Sequence, residues 1–151
     1  MRKFAFKLEK SLRLRAWNEE AARFDLGRAV GELNALEREL EILAEKRVTT
    51  MTERSSSIRT ANEFNLYESY FARLDAEKEN LLVRITQAKL NVETAQEIWT
   101  TAKAELQTME NLKERKIVDY RKEIFAEEEK ETSEIYTRQA GLYESLRDPG
   151  H

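Results

Sequence analysis

Apolar side chains recur at alternating intervals of three and four residues in the stretch Phe64–Met109, which reads FNLYESYFARLDAEKENLLVRITQAKLNVETAQEIWTTAKAELQTM. Lys78 is the one charged residue in this repeat, which we call the seam of the second helix. Its positions are Phe64, Tyr67, Phe71, Leu74, Lys78, Leu81, Ile85, Ala88, Val92, Ala95, Trp99, Ala102, Leu106 and Met109. A period of about 3.5 residues keeps one apolar stripe facing a neighbouring helix, so the stretch predicts half of a coiled coil.

A weaker repeat of the same kind precedes it and supplies the partner helix. Its positions are Ala5, Leu8, Leu12, Arg15, Glu19, Ala22, Leu26, Ala29, Leu33, Leu36, Leu40 and Leu43. The segment between the two repeats, VTTMTERSSSIRTANEF at 48–64, has no apolar period and is rich in Ser and Thr, which favour turns. Thr60 followed by Glu63 predicts a capping box at the start of the second helix.

These patterns predict an all-α fold in which two long helices form an antiparallel coiled-coil hairpin. We expect a single coiled-coil domain over residues 1–151, with helix 1 at about 3–50, a turn at about 51–60 and helix 2 at about 61–146. The composition agrees, since 36% of the 151 residues are charged and the chain has one proline and four glycines. It has no cysteine, which excludes disulfides and is compatible with a reducing cytosol.

The second helix is predicted to be longer than the first and to project past it. If Arg47 lies near Phe64, then Leu12 comes opposite Trp99 and Met1 opposite Glu110. From Asn111 to about Leu146 helix 2 would then be alone, and Lys113 and Lys116 could occupy seam positions without being buried. An apolar stripe of Ile117, Tyr120 and Ile124 continues there, which indicates a partner molecule or a homodimer.

Helix 1 carries a second apolar stripe, formed by Leu14, Trp17, Ala21 and Phe24, that cannot face helix 2 together with the first. Exposed aromatic residues would mark a contact surface. Because Arg15 and Glu19 are charged, we favour the alternative in which Trp17 and Phe24 are core and the charges are solvated. Gly27 and Gly31 have helical small-residue spacing and are expected to pack closely against helix 2.

The residue types needed for catalysis or metal binding do not cluster in this sequence. The single histidine is His151, the last residue, and no Gly-rich phosphate loop is present. Acidic residues occur at spacings that suit ion pairs with Lys or Arg along an exposed helix face. We therefore expect no enzymatic activity, no metal, no cofactor and no small-molecule substrate.

The charge pattern bears on partners. The basic stretch NLKERKIVDYRK is followed at once by the acidic EIFAEEEKETSE, and the net charge of -3 disfavours binding to nucleic acid. The basic N-terminus MRKFAFKLEKSLRLR could touch an acidic membrane surface or act as a transit peptide. Any membrane association is expected to be peripheral, because no apolar run is long enough to span a bilayer.

Three stretches resemble the FliJ family of flagellar type III export proteins: MRKFAFKLEKSLRLR, YESYFARLDAEKENL and TAKAELQTMENLKERKIVDYRKEIFAEEEKETSEIYTRQ. The resemblance runs over nearly the whole chain. It implies a stalk-like coiled coil that binds the hexameric export ATPase (FliI) and the cytoplasmic linker of the export-gate protein FlhA, and that handles export chaperones. It further implies a role in flagellum biogenesis and motility, and a cytoplasmic location peripheral to the inner membrane at the flagellar base.

The resemblance also implies site residues. The paired chain ends would enter the ATPase ring, and the residues placed there are Phe4, Leu8, Lys113, Arg115, Lys116, Tyr120 and Arg121. The gate-binding patch of the family matches Tyr67, Tyr70, Phe71 and Leu74, although Glu77 and Leu81 depart from its pattern. The alternative function is a coiled-coil chaperone or tether without an ATPase partner, for which Trp17 and Phe24 would be the surface.

Overall fold

A computed structural model of the chain describes residues 3–57 and 59–147 and contains two long helices that pack against each other. Helix α1 spans Glu9–Ser57 and helix α2 spans Ala61–Arg147, and the described residues include no strand. The predicted fold class, an all-α antiparallel hairpin with a longer second helix, is confirmed. The pairing expected for Met1 and the single histidine, His151, lie outside the described residues.

By its internal contacts the chain divides into two compact units. One unit is Ala16–Ala104, and the other combines the residues up to Arg15 with those from Glu105 onward. The first of these contains the turn and most of the buried side chains, and the second contains both chain ends.

Residues 51–57, which the loss of apolar period assigned to the turn, are helical and extend α1. The hydroxyl groups of this segment donate hydrogen bonds to carbonyl groups three or four residues earlier. Thr52, Ser55 and Ser56 do so, as does Thr50 just before the segment, at 2.8–3.1 Å. A carbonyl oxygen has two lone pairs, so it can accept a hydroxyl as well as a helical N–H, and these side chains are compatible with a continuing helix.

The predicted capping box starts α2. The backbone N–H of Glu63 donates to Thr60 Oγ1 at 3.2 Å, and the Glu63 carboxylate accepts the backbone N–H of Arg59 at 2.9 Å. The carboxylate thus reaches one residue further back than the usual box, in which it accepts the N–H of the cap residue itself. The two bonds fix the direction in which α2 leaves the turn.

The unit Ala16–Ala104 is built around the predicted seam. Leu43 packs with Phe71, Leu74 and Leu81 in one buried cluster, and Leu36, Leu40, Tyr67 and Tyr70 pack against it. The remaining buried residues are Ala22, Ile85, Ala88 and Ala102. Lys78, the charged residue of the repeat, is exposed. The three-and-four spacing therefore identified the core of this unit.

The register of the two helices differs from the expected one. Arg47 forms an ion pair with Asp75 and not a contact with Phe64, and Trp99 contacts Glu19 where Leu12 was expected. Arg54 pairs with Glu68 at 2.8 Å and lies over the ring of Phe64. Because α1 continues to Ser57, the connection is shorter than predicted, and each α1 residue meets a later residue of α2.

The prediction that Trp17 and Phe24 are core was wrong. Their side chains are 66% and 70% exposed, and Glu19 and Ala22 face α2 instead. The first stripe stays in phase because Glu19 is tolerated in the seam, where its carboxylate accepts the indole N–H of Trp99 at 3.1 Å. Gly27 and Gly31 were also placed wrongly, since a Cβ at either position would meet nothing within 4 Å.

Candidate functional site at the chain ends

The segment before α1 lies against residues 112–127 of α2, in the C-terminal half of that helix. Residues 3–8 are not helical, and the Glu9 N–H donates to the Phe6 carbonyl at 3.1 Å where the helix begins. The Phe4 ring packs on the Tyr120 ring with a centroid separation of 5.6 Å and a tilt of 56°, a favourable geometry for aromatic pairs. This packing fixes the N-terminal segment on α2.

Two ion pairs secure the start of α1 in the same unit. The Lys113 Nζ lies 3.0 Å from Glu9 Oε2, and the Arg15 guanidinium contacts the Glu105 carboxylate. Lys113 is therefore half-buried and has an acidic neighbour on α1. The expectation that it projects from a solitary helix was wrong, because the register brings Glu9 beside it.

The solitary part of α2 begins later than Asn111. Leu112, Lys113, Ile117, Tyr120 and Ile124 are all partly buried, whereas every residue from Phe125 to Arg147 is exposed. The apolar stripe of Ile117, Tyr120 and Ile124, which indicated a partner molecule, is thus partly covered within this unit. The exposed helix that follows carries large apolar side chains, among them Phe125, Ile135 and Leu142.

A groove lies between the N-terminal segment and α2, and we call it the terminal groove. Its apolar lining comes from Phe4, Phe6, Leu8, Leu112, Tyr120 and Ile124. Lys3, Lys7 and Lys116 also line it, together with the acidic Asp119, Glu123 and Glu127. An apolar floor with charges of both signs is suited to a protein surface of mixed charge.

The terminal groove brings together four of the seven residues assigned to the ATPase, namely Phe4, Leu8, Lys116 and Tyr120. Arg115 lies elsewhere on α2, beside Glu114 and Val118. Arg121 lines a shallow surface with Tyr120, Ile124 and Phe125. The seven residues thus form more than one surface on this part of α2.

Phe6 belongs to the terminal groove, and the sequence reasoning missed it. Phe4 and Phe6 are partly buried, while Lys3, Ala5 and Lys7 between and beside them are exposed. This alternation with a period of two is typical of a chain that is not helical. The residues FAFKL at 4–8 carry this signal, but Ala5 and Leu8 also fit the helical repeat that predicts helix 1.

The gate-binding patch divides between the core and the surface. Phe71 and Leu74 are only 6% and 5% exposed and pack with Leu43 and Leu81, so a partner cannot reach them directly. Tyr67 and Tyr70 are partly exposed and line a shallow groove with Thr50, Glu53, Glu63 and Leu66. Leu66, which the sequence reasoning did not select, is the most exposed apolar side chain there.

Neither a membrane-spanning helix nor a metal-binding cluster is found among the described residues. No helix in that part of the chain is long and apolar enough to cross a bilayer. No group of three or more acidic, His or Cys side chains converges there in a way that could hold a metal ion.

Comparison with known proteins identifies a family. Residues 4–143 match the family described as "Flagellar FliJ protein". No curated protein and no solved structure matches the chain. The family match covers most of the sequence, and it includes all of α1, α2 as far as Tyr143, and the N-terminal segment from Phe4 onward that lines the terminal groove. The chain therefore belongs to the FliJ family and is a component of the flagellar export apparatus.

Proposed function

We propose that this protein is a non-enzymatic stalk that binds the export ATPase (FliI) through its chain ends and couples that ATPase to the export gate. The observation that carries the proposal is the packing of Phe4 on Tyr120, which creates the terminal groove in a member of the FliJ family. The groove presents apolar side chains together with three lysines and three acidic residues, so it offers contact area and charges of both signs to a protein partner.

Within the proposed ATPase contact the predicted residues have different roles. Phe4 and Tyr120 hold the groove together, and Leu8 and Lys116 line it. Lys113 is engaged with Glu9, so its charge is partly neutralised within the chain. Arg115 and Arg121 would contact the partner from other sides of α2.

The second proposed contact is with the cytoplasmic linker of the gate protein FlhA. We place it on Tyr67 and Tyr70, with Leu66 beside them, because these side chains are accessible near the turn. Phe71 and Leu74 would act from the core by holding the two tyrosines in position. Escort of export chaperones and a cytoplasmic location peripheral to the membrane complete the proposal.

Purified protein added to the purified ATPase tests the main proposal. Binding and a higher rate of ATP hydrolysis are expected, and loss of both is expected when Phe4 is replaced by Ala. If correctly folded protein neither binds the ATPase nor changes its rate, the stalk function is wrong. Binding of export chaperones without any ATPase contact would favour the alternative, a chaperone or tether that works without an ATPase.

A further inference from the structure

Two aromatic side chains on α1, those of Trp17 and Phe24, point away from α2 and are largely exposed in the part of the chain that the structure describes. Trp17 and Phe24 are 66% and 70% exposed and lie seven residues apart, so both occupy the same side of the helix. Glu19 and Ala22, which lie between them in sequence, face α2. Exposed aromatic residues in a row are typical of a protein contact surface.

Small residues continue this side of α1 beyond Phe24. Gly27 and Gly31 lie in the interior of the helix, where glycine is destabilising relative to alanine, and a Cβ at either would meet only open space. Packing within the chain therefore does not explain them. We call the surface formed by Trp17, Glu20, Ala21, Phe24, Gly27, Arg28 and Gly31 the outer face of α1.

We propose that the outer face binds a second copy of this chain, with the two α1 helices antiparallel about a two-fold axis at Phe24. In this register Phe24 meets Phe24 of the second copy, and Trp17 lies level with Gly31. Ala21 lies level with Gly27, so the large side chains of one helix fall beside the small residues of the other. Because glycine has no side chain, Gly27 and Gly31 let the two helices approach closely.

Charge complementarity selects the same register. Glu20 of one chain lies level with Arg28 of the other, and the symmetry repeats this pair on the other side of the axis. A parallel pairing in register would place Glu20 beside Glu20 and Arg28 beside Arg28, which is repulsive. The outer face is therefore complementary to itself when the helices run in opposite directions.

The area available indicates a weak, concentration-dependent dimer. A buried Trp or Phe covers roughly 150–250 Å², and four such residues meet in the proposed interface. Their combined area is below the roughly 1,200 Å² at which standard-sized stable interfaces begin. Dimerisation is thus expected at high protein concentration, and the monomer is expected when the protein is dilute.

Sedimentation equilibrium of the full chain, from micromolar to near-millimolar concentration, tests the proposal. The average mass should rise from that of the 17.8 kDa monomer towards twice that value. Phe24→Glu should weaken association by about tenfold or more, because the axis brings the two new charges together. Val83→Glu is the matched control, since Val83 is equally exposed, at 68%, on α2, and it should not change the mass.

Charge reversal tests the register itself. E20R and R28E should each weaken dimerisation, because each places like charges level with one another. An equal mixture of the two variants should associate again. In the mixed dimer the new arginine at position 20 of one chain lies level with the new glutamate at position 28 of the other, and on the other side of the axis the original pair of Glu20 with Arg28 is kept. Far-ultraviolet circular dichroism of both variants checks that the helices are intact, since R28E also removes the ion pair of Arg28 with Asp25.

Three results would overturn the inference. They are a wild-type chain that stays monomeric at all concentrations, single charge variants that dimerise as the wild type does, and a mixture that fails to associate although both variants are helical. Capture of some other protein by Trp17 and Phe24, with no self-association, would assign the outer face to that partner instead.

Discussion

The indole Nε1 of Trp99 donates a hydrogen bond to Glu19 Oε1 at 3.1 Å, within the seam between α1 and α2. The Glu19 side chain is only 14% exposed, and its other carboxylate oxygen lies 3.4 Å from the Arg23 guanidinium. Lys103 lies over the Trp99 ring, with its Nζ 5.0 Å from the ring centroid. A single polar layer of this kind in an apolar seam favours one register over its neighbours.

Replacement of Glu19 by Ala should destabilise the hairpin by about 1–2 kcal/mol, because it leaves the partly buried indole N–H of Trp99 without its acceptor. Urea unfolding followed by circular dichroism measures the change. Glu19→Gln is the matched control, since its amide oxygen can still accept the bond, and it should be affected less. Equal losses for the two variants would show that the charge, and not the hydrogen bond, matters.

Phe71 should behave as a core residue and not as a docking residue. Phe71→Ala is expected to cost about 3–5 kcal/mol of unfolding free energy, because it opens a cavity beside Leu43, Leu74 and Leu81. Leu66→Ala should change stability by less than about 0.5 kcal/mol, since Leu66 is exposed. If Leu66→Ala lowers binding to the FlhA linker without changing stability, the proposed gate contact is supported. A Phe71 variant cannot give this support, because its loss of stability would itself reduce binding.

The seam was predictable because its signal is local and repeated. The spacing correctly indicated the buried residues Leu74, Leu81, Ile85 and Ala88. The cap was predictable from the four consecutive residues Thr60–Glu63. The register was not predictable, because it depends on where α1 ends. A Ser- and Thr-rich segment whose hydroxyls bond back to the preceding helical turn cannot be distinguished by sequence from a Ser- and Thr-rich turn.

The position of Trp17 could not be settled from the sequence either, because two stripes on α1 competed for α2. Hydrophobicity favoured the stripe with Trp17 and Phe24, and the structure uses the one with Glu19 and Ala22. What decides between them is a partner of Glu19 that lies far away in the sequence, Trp99. The terminal groove could not be predicted for the same reason, because the contact between Phe4 and Tyr120 depends on the register of the two helices.

Replacement of Gly27 by Ala should stabilise the monomer by about 0.5–1 kcal/mol. Alanine is the better helix former, and the added Cβ meets nothing within 4 Å. Thermal unfolding at low protein concentration, where self-association is negligible, measures this effect. A destabilised monomer would mean that Gly27 is needed for the conformation of α1 itself, which contradicts its placement on an open face.

Charge reversal at Lys116 should weaken binding to the ATPase. Lys116 is exposed and lines the terminal groove, so K116E should not disturb the fold, and with R121E it should lower affinity by about tenfold. Lys113 is a poorer choice for this test, because K113E would also place a carboxylate beside Glu9 and destabilise the start of α1.

K89E is the control for this experiment, because Lys89 is an exposed lysine of α2 in the other unit. The K89E variant should bind the ATPase as the wild type does. Stimulated ATP hydrolysis and binding at two salt concentrations are the measurements, and the difference between K116E/R121E and the wild type should shrink at high salt as the charges are screened. An unchanged ATPase response in K116E/R121E, together with intact helicity, would remove the terminal groove from the contact. A loss in K89E of the same size would mean that overall charge, and not the groove, governs binding.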